Sequence, residues 1–130
     1  MIPTPYNFEP SFTSSFAAVP NGGLILTASA LAVVHHERVI ALAARHKLPA
    51  VYYRRLFVAR GGLISYGYDV DEQYSGSARY VDRILRGEKP GDLPVQAPTK
   101  YELLVNLKTA KALGLPIPPT LLARANEVFE

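Results

Sequence analysis

The stretch from Leu42 to Phe129, LAARHKLPAVYYRRLFVARGGLISYGYDVDEQYSGSARYVDRILRGEKPGDLPVQAPTKYELLVNLKTAKALGLPIPPTLLARANEVF, decides the fold. Short apolar runs alternate in it with longer segments of helical spacing. Ala50-Val51-Tyr52-Tyr53 follows Pro49 and reads as a strand. Arg54 to Arg60 forms a helical turn or more, broken by Gly61-Gly62. Leu63-Ile64-Ser65-Tyr66 is the next strand. From Val70 to Arg86, Tyr74, Ala78, Val81 and Leu85 line one helical face, and Gly87 stands just past the helix end. Gly87 to Thr99 holds the prolines and glycines of a loop. Tyr101 to Val105 is a further strand. Leu107 to Leu113 is a short helix flanked by Asn106 and closed by Gly114. Pro118-Pro119 opens a last helix, expected from Thr120 to Phe129.

Toward the N-terminus, Asn21-Gly22-Gly23 is a turn and Leu24 to Thr27 a short buried strand. Val33 to His46 reads as a helix with Val34, Ile40, Leu42 and Ala43 on its apolar face. Residues 1–9 form an arm, and Pro10 to Ala18 a short helix with Phe12 and Phe16 on one side. Strands that alternate with helices argue for a parallel, layered α/β fold. Ligands of such sheets sit outside the carboxyl ends of the strands. Those ends are Thr27-Ala28-Ser29, Tyr52-Tyr53-Arg54 and Tyr66-Gly67-Tyr68-Asp69.

Composition narrows the function. The chain has 130 residues, 48% of them hydrophobic, enough for one domain with a core. Cysteine is absent, which removes disulfides and thiolate zinc sites. The net charge of +3 is scattered among acids, with no basic stripe interleaved with aromatics, so a nucleic-acid partner is not expected. No apolar run reaches the ~18 residues of a membrane span. The opening MIPTPYNFEPSF lacks the basic and apolar regions of a secretory signal, so the chain as written is expected to stay in the cytoplasm unless an upstream part is missing.

Chemistry-bearing patterns are few. His35-His36-Glu37 cannot share a metal easily, because neighbours on a helix point about 100° apart. No HExxH, no G-x-S-x-G and no phosphate loop is present, so neither an enzyme nor a cofactor is expected. The site candidate is Ser65 to Asp71, SYGYDVD. There a strand ends, glycine allows a tight turn, and an acid precedes a helix. Asp69 reads either as that helix's N-cap or as a cleft carboxylate that takes an ammonium or hydroxyl, and the two roles are compatible. Tyr66 and Tyr52 are candidate side walls, Phe57 a candidate apolar contact, and Ser29 a polar group at the first strand end. The Tyr52, Tyr53 and Phe57 cluster is of a kind more often core than ligand wall, though its place at a strand's carboxyl end favours a binding role.

Four motifs occur in order: ALAARHKLPAVY (Ala41–Tyr52), GGLISYG (Gly61–Gly67), YVDRILRGEKPGDLPV (Tyr80–Val95) and TKYELLVNLKTAKALGLPIPPTLLARANEV (Thr99–Val128). Together they resemble the C-terminal part of ABC transporter substrate-binding proteins of the tryptophan/tyrosine-transport-like type. The resemblance implies a type I periplasmic-binding fold, present only in part. Residues 10–60 would belong to the second lobe, 61–94 would return to the first, and 95–130 would cross back. It implies binding of a small amino-acid-like solute, an ABC permease as partner, and a periplasmic or lipid-anchored setting. A partial fold exposes sheet edges, so a homo-oligomer or segment exchange is expected. The alternative is a dimeric sensing or interaction module of the same fold. Two departures from the family pattern stand out. Ala28-Ser29 replaces a proline and an acid, and Tyr53-Arg54 stands where relatives carry a proline and an aromatic residue.

Overall fold

The computed structural model describes residues 21–130; the expected arm and the Pro10–Ala18 helix lie outside them. Five strands form one sheet in the order β1 (Leu24–Ile25), β2 (Ala50–Tyr52), β3 (Ile64–Tyr68), β4 (Tyr101–Asn106) and β5 (Glu127–Phe129). Between β1 and β2 run α1 (Ala30–Val34) and α2 (His36–Arg45). α3 (Arg55–Ala59) joins β2 to β3, and α4 (Val70–Leu85) lies between β3 and β4. α5 (Leu107–Leu113) and α6 (Pro119–Leu122) precede β5.

The sheet is mostly parallel, with one antiparallel pair between β3 and β4. That pair is the one exception to the expected parallel arrangement. The chain leaves β3 at Tyr68 and re-enters β4 at Tyr101, directly opposite, and the Asp69 N–H donates to the Lys100 carbonyl at 3.0 Å. The excursion through α4 thus starts and ends at one point, and no crossover is needed.

Register puts Leu24, Ala50, Tyr52, Ser65, Gly67, Glu102 and Leu104 on one face of the sheet. α2 and α3 cover that face. Tyr52 and Phe57 stack with ring centroids 4.9 Å apart, and Phe57 and Val58 are fully buried. Burying a side chain of this size contributes about 1.5–3 kcal/mol each. The opposite face is more open among the described residues: Ile25, Val51, Tyr66 and Val128 remain exposed.

Two elements differ from their sequence reading. The helix expected from Val33 to His46 begins at Ala30 and breaks at His35 (φ −104°, ψ 25°), after the adjacent β-branched pair Val33-Val34, both weak helix formers. His36 is half-buried edge-on to Phe57 at 6.5 Å. The last helix ends at Leu122, and residues 127–129 form β5 instead. Asn126 makes the switch. Its N–H donates to the Leu103 carbonyl and its Oδ1 accepts from the Leu103 N–H, both at 2.8 Å, which draws the tail onto the free edge of β4. Val128 and Phe129 then suit a strand.

Candidate functional site

Two cavities lie at the carboxyl end of β2 and β3. The smaller, about 360 Å³, is floored by Ser65, Gly67, Glu102 and Leu104 and walled by Arg54, Arg55 and the start of α4. The larger, about 740 Å³, lies along the inner side of α4, with Tyr74 and Tyr80 facing Gln96 to Thr99. They meet at Arg54, Tyr68, Asp69 and Val70. Small-molecule sites occupy roughly 300–1,000 Å³, so each is of ligand size.

The floor exists because residue 67 is glycine. A Cβ there would stand 2.0 Å from the Tyr53 carbonyl oxygen. Backbone therefore meets backbone, and Arg54 follows at the cavity's edge. Asp69 caps α4, accepting from the N–H groups of Asp71 and Glu72 at 3.0 and 3.3 Å. It also receives Lys100 Nζ at 2.5 Å. The Lys100 hydrogen bond, seconded by the helix N–H groups, holds the Asp69 carboxyl below its ordinary range. In return, Asp69 keeps Lys100 more firmly protonated.

Arg55 forks onto Glu127, with N–O distances of 2.5 and 2.9 Å, and lies 5.8 Å from the centre of the Phe129 ring. The Glu127 hydrogen bond pushes its pKa further up. The pair clamps β5 to α3 and leaves neither partner free. Arg54, beside it, differs. Its Nε is buried and has no hydrogen-bond partner, and the same holds for Ser65 Oγ, on a residue only 1% exposed.

The sequence-chosen residues fall in different places. Asp69 lines both cavities, and its capping role is realised as well. Tyr52 and Phe57 stack in the core and line neither of the two. Burial pushes the Tyr52 phenol up to about 12. Tyr66 points to the open face, stacked on Tyr101 at 5.7 Å. Ser29 caps α1, its Oγ accepting from the Ala32 N–H, and its carbonyl accepts from the Tyr53 hydroxyl at 3.0 Å. Ser65 and Tyr68, which fall within the candidate segment Ser65 to Asp71 but were given no role of their own, line the smaller cavity, as do Arg54 and Glu102, which were given none either. Ser65 carried a usable signal: a lone hydroxyl in an apolar strand, two residues before a glycine. Among the described residues, no group of three or more metal-ligating side chains stands together, and no helix is long and apolar enough to cross a membrane.

The chain matches the family model described as ABC transporter substrate binding protein over residues 10–129. A conserved domain protein from Vibrio cholerae O1 biovar El Tor is 30% identical, with a TM-score of 0.82 over 92% of this chain. An ABC domain from Streptococcus pneumonia, solved in complex with L-Trp, is 22% identical with a TM-score of 0.81 over the same share. A ligand-free, open substrate binding protein with adhesive properties from Clostridium difficile is 21% identical with a TM-score of 0.63, again over 92%. The last two show the fold alone. This chain spans about 40% of the length of each of the three, so the α/β periplasmic-binding fold is present in part. No curated protein matches the chain. With residues 10–129 under one family model, the chain belongs to the ABC transporter substrate binding protein family.

Proposed function

We propose that this chain binds a small amino-acid-like solute at the carboxyl ends of β2 and β3, as the binding component of an ABC importer. The observation that carries this reading is the joined pair of cavities, lined by charges of both signs and by tyrosines. An amino acid presents an anion, a cation and a side chain together. Arg54 offers a cation with no ion pair among the described residues, and Asp71 and Glu102 offer acids likewise unpaired. Tyr68, Tyr74 and Tyr80 supply aromatic surface along the larger cavity. A neighbour bound to L-Trp supports the ligand class.

On this reading only the excursion between β3 and β4, residues 69–100, reaches toward the first lobe; β3 pairs with β2 and β4 in the same sheet, so the return expected to begin at residue 61 does not include it. The solute passes to a membrane permease, and the protein works outside the cytoplasmic membrane. Fractionation that finds the protein only in the cytoplasm overturns the setting.

The binding itself is tested by titration calorimetry with the twenty L-amino acids. Saturable binding of one or a few is expected. Absence of heat with all twenty refutes the reading.

A further inference from the structure

We propose that the smaller cavity is a carboxylate-binding subsite, in which Ser65 Oγ and Arg54 Nε donate to the acid group of the solute. This rests on the solute-binding reading above and deepens it.

Two residues that line this cavity each carry a buried polar atom without a partner, Ser65 Oγ and Arg54 Nε. Such orphans are rare in folded proteins, and each calls for something to pair with. A guanidinium N–H only donates, and a hydroxyl can donate, so the two suit a group that only accepts. A carboxylate is that group, and a charged pair is the stronger form of such a bond. Ser65 is 1% exposed and fixed in β3, paired to Leu104 on one side and to Tyr52 on the other. Its hydroxyl is therefore pre-positioned.

The other charges at this cavity set the ligand class more narrowly. Arg55 is held by Glu127, and Asp69 by Lys100 and the α4 N–H groups. Asp71 and Glu102 remain. They oppose a lone anion and favour an acid that carries its own ammonium. The geometry thus points to an α-amino acid with its carboxylate at Ser65 and Arg54, its ammonium toward the acids, and its side chain toward the larger cavity.

The test compares matched ligands on the full chain by calorimetry. The best-binding amino acid is set against its carboxamide and its decarboxylated amine. Both are expected to bind about 10- to 100-fold more weakly. Ser65→Ala and Arg54→Gln should each weaken the acid about 10-fold and leave the carboxamide unchanged. Ser65→Ala should melt no lower than the parent, since it removes an orphan hydroxyl. Equal affinity for acid and carboxamide overturns the subsite while the solute reading stands. So do variants that weaken both ligands alike, which marks a structural role. Variants that leave the acid unaffected mark an ordered water only. If no amino acid binds, the solute reading falls, and glycine betaine and carnitine, acids that carry their own cation without being α-amino acids with a free ammonium, decide the subsite separately. Saturable binding abolished by Arg54→Gln keeps it, and no binding removes it.

Discussion

Helices α2 and α4 have similar amphipathic patterns and opposite surroundings. In α2, Val39, Ile40 and Ala43 are at most 9% exposed. In α4 no residue is buried, and Tyr74, Val81 and Leu85 are 73%, 54% and 82% exposed. The difference lies in topology. With α1, α2 joins two neighbouring parallel strands, and such a crossover must pack back on the sheet. α4 joins an antiparallel pair and is under no such constraint. It is held by its ends instead. Asp69 caps it, Asp71 and Glu72 sit in its first turn, and Arg83 pairs with Glu88 beyond its last. Hydrophobic spacing therefore fixes that a helix forms and which face is apolar. Connectivity decides whether that face is covered.

The largest effect should come from the buried side. Phe57→Ala removes the ring stacked on Tyr52 and should cost about 3–5 kcal/mol in urea denaturation. Tyr74→Ala on α4 should stay within about 0.5 kcal/mol. Equal losses would erase the contrast. Glycines sharpen it next. Gly67→Ala drives a Cβ into the Tyr53 carbonyl and should cost at least ~1–3 kcal/mol, whereas Gly91→Ala, in open space, should stay within about 0.5 kcal/mol.

Titration gives a subtler pair. The Tyr52 phenol is raised by burial to about 12 from an ordinary 10.0. As pH climbs past the ordinary value, the unfolded chain loses its proton first, so the folded state loses stability up to the raised value. In a phenolate absorbance titration, one tyrosine should therefore ionise last, together with unfolding. A Phe variant at 52 should remove that step. Asp69 behaves in the opposite sense. Its lowered pKa stabilises the folded form above the ordinary carboxylate value, and this is lost as pH falls through the lowered one. Asp69→Ala should make the α4 helix signal less steep with acid, and an unchanged acid profile would discount the Lys100 contact.

Much of the fold was legible in residue order. Four strands and α3, α4 and α5 fall within a residue or two of their expected ends, because glycine, proline and periodicity mark them locally. What escaped depends on distant partners. The tail became β5 because β4 offered a free edge to Asn126. β4 runs antiparallel because α4 returns to its starting point. At the site, Asp69 was legible as an acid after a tight turn. Arg54 was not, because a cation at a strand end reads as solvated until the backbone contact between Gly67 and Tyr53 is known.

The measurement that bears most directly on the central claim is amide chemical-shift mapping of the labelled chain during titration with its best-binding amino acid. Saturable shifts at Arg54, Ser65, Gly67 to Asp71 and Glu102, and along the larger cavity at Tyr74, Tyr80, Gln96, Ala97 and Thr99, are predicted. Shifts clustered on the open sheet face around Ile25 and Val51, or none at all, would contradict a binding site at the carboxyl ends of β2 and β3.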